Sequence, residues 1–213
     1  MSQELTLNNL KITWLRHASF LISKFHFDTQ IPLRGTEIRT IYIDPYNISE
    51  GPKADLVLCT HSHFDHYDEK SIQVLSKKET EVLVGSQNIK EGEEKELAGI
   101  KIKAVPAYNL KKPFHPRGQG VGFVIEIAGY KIYHAGDTDA IPEMAELKNQ
   151  IDLALLPIGG TYTMDINEAV EAVKMIKPKI VVPMHYGTLK ETKADPEEFK
   201  KLVGNLAEVK ILE

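Results

Sequence analysis

The chain has 213 residues, of which 42% are hydrophobic and 26% charged, and its formal net charge is −4. That length can bury a substantial core in one large domain, and the charge balance gives no global electrostatic reason to expect nucleic-acid or membrane partners. No apolar run approaches the roughly 20 residues that a bilayer span requires.

The opening residues, MSQELTLNNLK, lack the basic-then-apolar order of a signal peptide. From Leu10 to Phe27 polar and apolar side chains alternate, the period of antiparallel strands with one buried face. A polar link with Pro32 and Gly35 follows, then a strand from Ile38 to Ile43 that ends at Asp44-Pro45. Leu56 to Thr60 is mostly apolar or β-branched, as expected of a strand covered on both faces. Its Cys59, the only cysteine, excludes an internal disulfide framework, suits a cytoplasmic setting and reads as a packed side chain. Asp68 is the expected N-cap of an amphipathic helix over Ile72 to Leu75. Glu81 to Gly85 and Ile100 to Val105 are short strands separated by a charged turn, KEGEEKELAG. Residues 107–119 show little periodicity and read as a loop long enough to cover a site.

The second half repeats this grammar. Gly122 to Ile127 and Lys131 to His134 form a hairpin around Ala128-Gly129, and the second strand runs into Ala135-Gly136-Asp137. Ile151 to Leu156 is a continuous apolar strand, and Asp165 with Glu168 starts a helix over Val170 to Ile176 in capping-box style. Ile180 to Met184 is the last buried strand, ending at His185; Asp195-Pro196 opens a closing helix, and Glu208 to Leu212 returns as an edge strand. Strands alternating with helices predict sheets covered by helices, and with no linker between the halves the expectation is a single domain over residues 1–213.

The chemistry is concentrated in LVLCTHSHFDH, where His61, His63, Asp65 and His66 fall within six consecutive positions after a buried strand. Imidazole nitrogens and carboxylate oxygens suit borderline divalent metals, zinc above all. A lone histidine in a polar loop is usually just solvated. Four such groups crowded at a strand end cost stability unless something compensates them. Other strand ends should then supply further ligands: Asp137 in HAGDTD and His185 after IVVPM are the candidates. Alone, Asp137 would read as a turn aspartate and His185 as a core histidine.

Together, His61-x-His63-x-Asp65-His66, Asp137 in its Gly-Asp-Thr context and strand-terminal His185 resemble the metallo-β-lactamase superfamily over nearly the whole chain. The likeness is closest to a compact branch that includes ascorbate-6-phosphate lactonase-like proteins. It implies an α/β fold, a four-layer αββα sandwich with a metal site along one edge of the sheets. It also implies that His61 and His63 bind one metal, that Asp65, His66 and His185 bind the other, and that Asp137 binds both. The cofactor expected is Zn, one ion or two, with Mn, Fe or Ni also admitted. One position departs from the family pattern: Asn109 in VPAYNL stands where another histidine is expected. Either the first site is incomplete or His115 reaches in from the loop, and the better ligand chemistry of imidazole favours His115. Relatives often carry a histidine near the pocket at the position of His17, which makes it a candidate substrate contact beside Asn109 and Arg117. His134 and Asp44 are expected to support the ligands by hydrogen bonding.

Such a site activates water, with Asp65 as the catalytic residue that orients it and shuttles a proton. No Gly-x-Ser-x-Gly element offers a competing nucleophile, so the expected reaction is hydrolysis of an ester, lactone, amide or phosphoester of a small molecule. Lys111, Lys112, Arg117 and Arg16 could receive a phosphate or carboxylate, and Tyr162 and Tyr186 could line the pocket. The alternatives are a nuclease or phosphodiesterase, disfavoured by the absence of a basic stripe, and a non-catalytic metal-stabilised or redox module. No membrane partner is expected, and a homo-oligomer is left open.

Overall fold

The computed structural model describes residues 3–24 and 40–213. The expected link with Pro32 and Gly35, and the ends of the two strands flanking it, lie outside the described residues.

The first sheet has six strands in sequential order. They are β1 (Glu4–Leu7), β2 (Leu10–Trp14), β3 (Phe20–Lys24), β4 (Thr40–Ile43), β5 (Leu56–Cys59) and β6 (Glu81–Val84). The second sheet has seven. Four of them, β7 (Glu94–Leu97), β8 (Ile100–Pro106), β9 (Val121–Ile127) and β10 (Tyr130–His134), pair antiparallel in turn. The sheet continues in parallel through β11 (Leu153–Pro157), β12 (Ile180–Met184) and β13 (Glu208–Val209).

Burial follows the two-residue period of the strands. Ile12, Ile22, Ile43 and Leu58 of the first sheet meet Ile102, Phe123, Ile125, Leu155 and Val182 of the second in one apolar layer. Helix α1 (Glu69–Leu75) adds Leu75 to a cluster with Tyr42, Val57 and Cys59 on the outer face of the first sheet. Helices α2 (Ile166–Ile176) and α3 (Pro196–Val203) place Val173, Ile176, Phe199 and Val203 over the outer face of the second. The result is the four-layer αββα sandwich. The expected caps form: Asp68 accepts from Lys70 N, Asp195 accepts from Glu197 N with Pro196 beside it, and Asp165 with Glu168 completes a reciprocal capping box.

Three differences from the expected elements have simple causes. The charged turn after β6 holds a strand, β7, whose Glu94, Lys95 and Glu96 are exposed; antiparallel pairing with β8 makes it a strand without an apolar face. β1 pairs with β2 in the same way at the other sheet edge. The closing edge strand is shorter than expected, because β13 pairs with β12 only over Glu208–Val209 and stops before Leu212.

The pairing has one consequence for chemistry. Within the first sheet β2, β4 and β5 run in the same direction, and within the second β8, β10 and β12 do. Their downstream ends are where His17, Asp44, the 60–66 loop, the 107–119 loop, Asp137 and His185 emerge.

Candidate metal centre

Two glycines shape the loop that leaves β5. A Cβ on Gly85, just past β6, would lie 2.1 Å from the Thr60 carbonyl oxygen, so the two segments approach only because no side chain intervenes. Gly136 bends at φ +64, and a Cβ there would meet Thr60 Cβ and Val121 O at 3.1 Å each. His17 and His185 also leave their strands at positive φ, 52° and 56°, and the His185 N–H donates to the His17 carbonyl at 2.9 Å. Positive φ is uncommon for such residues, and its concentration here marks a backbone bent to aim side chains.

The buried Asp44 carboxylate organises the next level. Oδ1 accepts from Thr60 N at 2.6 Å, while Oδ2 accepts from Thr60 Oγ1 at 2.8 Å and from His66 Nδ1 at 2.7 Å. His66 Nε2 is thereby turned toward Asp137 Oδ1, 3.3 Å away. With its hydroxyl proton given to Asp44, Thr60 Oγ1 accepts from His61 Nδ1 at 3.0 Å, leaving His61 Nε2 as a lone pair. His134 supports the same region from behind: its ring lies 2.9 Å from the Ala18 carbonyl and accepts from Gly136 N at 3.2 Å, which ties the Asp137 turn to the first sheet.

Three groups of potential ligand atoms result, each drawn together within 4.8 Å: His61, His63 and His115; His17, Asp65, His66 and His185; and His61, His66 and Asp137. Asp137 lies between the clusters, with Oδ2 3.1 Å from His185 Nε2 and 3.3 Å from His115 Nε2. Neighbouring imidazoles pack tightly, with ring centroids 3.9 Å apart for His17 and His185 and 4.2 Å for His61 and His66. All but His63 are buried.

Electrostatics point the same way. Burial holds His61 well below the usual histidine range and lowers His17 and His115 as well. Burial opposes charge on His66 too, but there the Asp137 and Asp44 carboxylates prevail and push it well above that range. Burial is likewise outweighed at Asp137, held low by His185 and His66, and at Asp65, held low by its hydrogen bond with His17. His66 Nε2, both His185 ring nitrogens and Asp137 Oδ1 are buried and make no well-aligned hydrogen bond among the described residues, although His66 and His185 approach Asp137 closely. Buried polar atoms left unpaired are costly. Imidazole nitrogens converging on a carboxylate are, once deprotonated, the donor set a divalent cation takes, so the residues fit a metal.

Of the expected site residues, His61, His63, Asp65, His66, Asp137, His185 and His115 are brought together. Asn109, the departure from the family pattern, does not face the cavity beside the histidines. Its Oδ1 accepts from His115 N at 3.0 Å and from His115 Nδ1 at 3.1 Å, and its Nδ2 donates to Asp139 Oδ1 and the Tyr162 carbonyl, both at 3.0 Å. Asn109 therefore positions the imidazole that stands in for it. His17, expected to touch substrate, is fully buried and contacts Asp65 Oδ2 at 3.0 Å. Arg117 points elsewhere, 2.5 Å from Glu91 and 2.9 Å from Glu143 with its guanidinium over Tyr108. Tyr186 stacks on Trp14 with centroids 5.3 Å apart, and Tyr162 contributes its carbonyl to His115 while its ring meets Phe114. Asp139 was not anticipated. It anchors the covering loop by accepting from Leu110 N, Asn109 Nδ2 and Lys112 Nζ, and its only sequence signal was a second aspartate in HAGDTD.

Residues 11–185 match the Beta-lactamase superfamily domain, and the chain belongs to the metallo-β-lactamase superfamily. Its relatives carry a narrower description: a UPF0173 metal-dependent hydrolase of Thermococcus onnurineus is 37% identical, over 95% of this chain and 96% of the relative. A crystal structure from Parabacteroides distasonis, with a metal-dependent hydrolase designation, superposes with a TM-score of 0.83 at 32% identity, covering 100% of this chain and 99% of that one. Igni18, a metallo hydrolase of the archaeon Ignicoccus hospitalis, superposes with a TM-score of 0.73 at 31% identity, covering 96% and 95%. Among the described residues, no helix is long and apolar enough to cross a membrane.

Proposed function

We propose that this chain is a metal-dependent hydrolase that cleaves an ester, lactone, amide or phosphoester bond of a small molecule. The metal would be held by His61, His63 and His115 on one side and by Asp65, His66 and His185 on the other, with Asp137 between them. Zinc suits this set of imidazoles and carboxylates best, and Mn, Fe or Ni are compatible with it. The observation that carries the reading is the convergence of buried imidazole nitrogens of His66, His185 and His115 on Asp137, those of His66 and His185 without a well-aligned hydrogen bond.

A divalent ion in such a site supplies Lewis acidity, making water reactive near neutral pH and stabilising negative charge that develops on the substrate. The protein's own residues do the rest. Asp65 orients the attacking water and takes its proton, and His17 holds Asp65 in place through the 3.0 Å contact to Oδ2. His115, carried on the loop over the site, is locked by Asn109 and the Tyr162 carbonyl, so that loop geometry and metal binding are one problem. The single cysteine supports a cytoplasmic location.

The test is a panel of esters, lactones, amides and phosphoesters presented to the metal-depleted and metal-reloaded chain. Turnover restored by metal and lost in Asp65→Asn supports the reading. No metal-dependent turnover on any member of the panel sinks it.

A further inference from the structure

The cavity over the His61 cluster has a volume of ≈ 290 Å³. This is near the lower end of the range for small-molecule sites. Beyond the histidines and Asp137, its side-chain functionality comes from Ser62, Ser86, Gln87, Gln119 and Phe114. Among the described residues that line it, none is a lysine or an arginine.

Of the cations expected to receive an anion, Lys111 is exposed on the covering loop and is not among the residues that line the cavity, and the other three are engaged or placed elsewhere. Lys112 lies 2.7 Å from Asp139 and 3.2 Å from Glu168, and Arg117 is held between Glu91 and Glu143. Arg16 opens onto a separate cleft whose wall also carries Glu213. Two primary amides and two hydroxyls around an exposed aromatic ring offer neutral donors, acceptors and an apolar face. They offer no cation to pair with a phosphate or carboxylate, and an anion without a charged partner is costly to desolvate.

We infer that the part of the substrate remote from the cleaved bond is uncharged and carries hydroxyl or amide groups. This rests on the hydrolase reading and adds to it the class of molecule that the cavity accepts. Gln87 and Gln119 act as specificity-determining residues, with Phe114 as the surface on which the apolar face rests.

The experiment compares p-nitrophenyl glycolate, which bears a hydroxyl, with p-nitrophenyl hemisuccinate, which bears a carboxylate, on the metal-loaded chain. The neutral ester is expected to have a kcat/KM at least about 10-fold higher, because a charge left unpaired costs at least the 1.4 kcal/mol that a factor of 10 represents. Gln87 is exposed, so Gln87→Lys is tolerated by the fold and is expected to narrow that ratio mainly through KM for the hemisuccinate. Equal or better turnover of the hemisuccinate by the unaltered chain, or a ratio indifferent to Gln87→Lys, overturns the inference. If neither ester is turned over, the hydrolase reading is what suffers, and binding then decides the cavity separately. A hydroxylated γ-lactam that shifts the NMR signals of the Gln87 and Gln119 side-chain amides, with no shift from its phosphate ester, supports the inference; equal shifts from both overturn it.

Discussion

His66 Nδ1 sits 2.7 Å from Asp44 Oδ2, both side chains completely buried, although 22 residues separate them in sequence. This contact turns the opposite ring nitrogen toward Asp137, and the same carboxylate holds the Thr60 N–H and hydroxyl at the entrance of the 60–66 loop. One buried acid thus sets both the path of the loop and the orientation of a candidate ligand.

Asp44→Ala is expected to weaken metal binding by about 10–100-fold, the usual cost of removing a partner that orients a ligand. Competition with a chromophoric chelator measures it. The substitution also strips the buried Thr60 groups of their acceptor, at roughly 1–3 kcal/mol of stability. Asp44→Asn keeps an acceptor for Thr60 without the negative charge. Metal affinity equal to that of the unaltered chain in both variants would detach Asp44 from the site.

His115→Ala should abolish metal binding at the His61 cluster while leaving the cluster of Asp65, His66 and His185 occupied. Asn109→Ala should weaken binding at the first cluster only, by about 10–100-fold, since it removes the group that holds His115 rather than a ligand. Cobalt substitution read by absorption spectroscopy, with metal content measured in parallel, distinguishes these outcomes. An unchanged spectrum in Asn109→Ala would show that His115 holds its place without it.

Stripping the metal should lower thermal stability, because the crowded imidazoles and carboxylates lose the cation that binds only the folded arrangement. A metal present at 100 times its Kd contributes about 2.7 kcal/mol. Calorimetry with and without a chelator reads the change, and an identical Tm in both would argue that no metal binds the native chain.

Gly85→Ala should be poorly tolerated, since its Cβ would lie 2.1 Å from the Thr60 carbonyl and 2.7 Å from Val121 Cγ2. Relief requires backbone movement at the start of the histidine loop. The expected destabilisation is about 1–3 kcal/mol, typical of overpacking, accompanied by weakened metal binding. Denaturant unfolding and metal titration check the pair, and a neutral result in both would mean the loop has room to give.

Away from the site, Asp152 accepts from Lys131 N at 2.8 Å and from Lys179 Nζ at 2.7 Å. Burial works against its charge, but these partners lower its pKa below the usual carboxylate value. Its contribution is therefore fully present above the unfolded-state value, about 3.9, and is lost as pH falls through the lower folded value. Asp152→Asn should cost about 1 kcal/mol at neutral pH and progressively less as acid neutralises the native carboxylate. A penalty constant from neutral pH down to about pH 2, well below the unfolded-state value, would contradict this.

Much of the fold was legible because burial imposes periodicity. LVLC, LALLP and IVVPM are apolar on both faces, and β5, β11 and β12 are central strands buried on both. Caps were legible because they are local chemistry, as Asp165 and Glu168 show. β7 was not, since exposed charged residues become a strand only through hydrogen bonding to β8.

By itself, the sequence determined which side chains were available for chemistry: imidazoles and carboxylates clustered in 61–66, and the strand-terminal Asp137 and His185. Ligand identity is written in residue type and in the turns that follow apolar runs. Tertiary structure alone decided that His115 joins the site while Asn109 holds it, that His17 contacts Asp65, and that Lys112 and Arg117 are occupied by acidic partners. Those assignments depend on distances between strand ends brought together by two packed sheets, and spacing along the chain does not encode them.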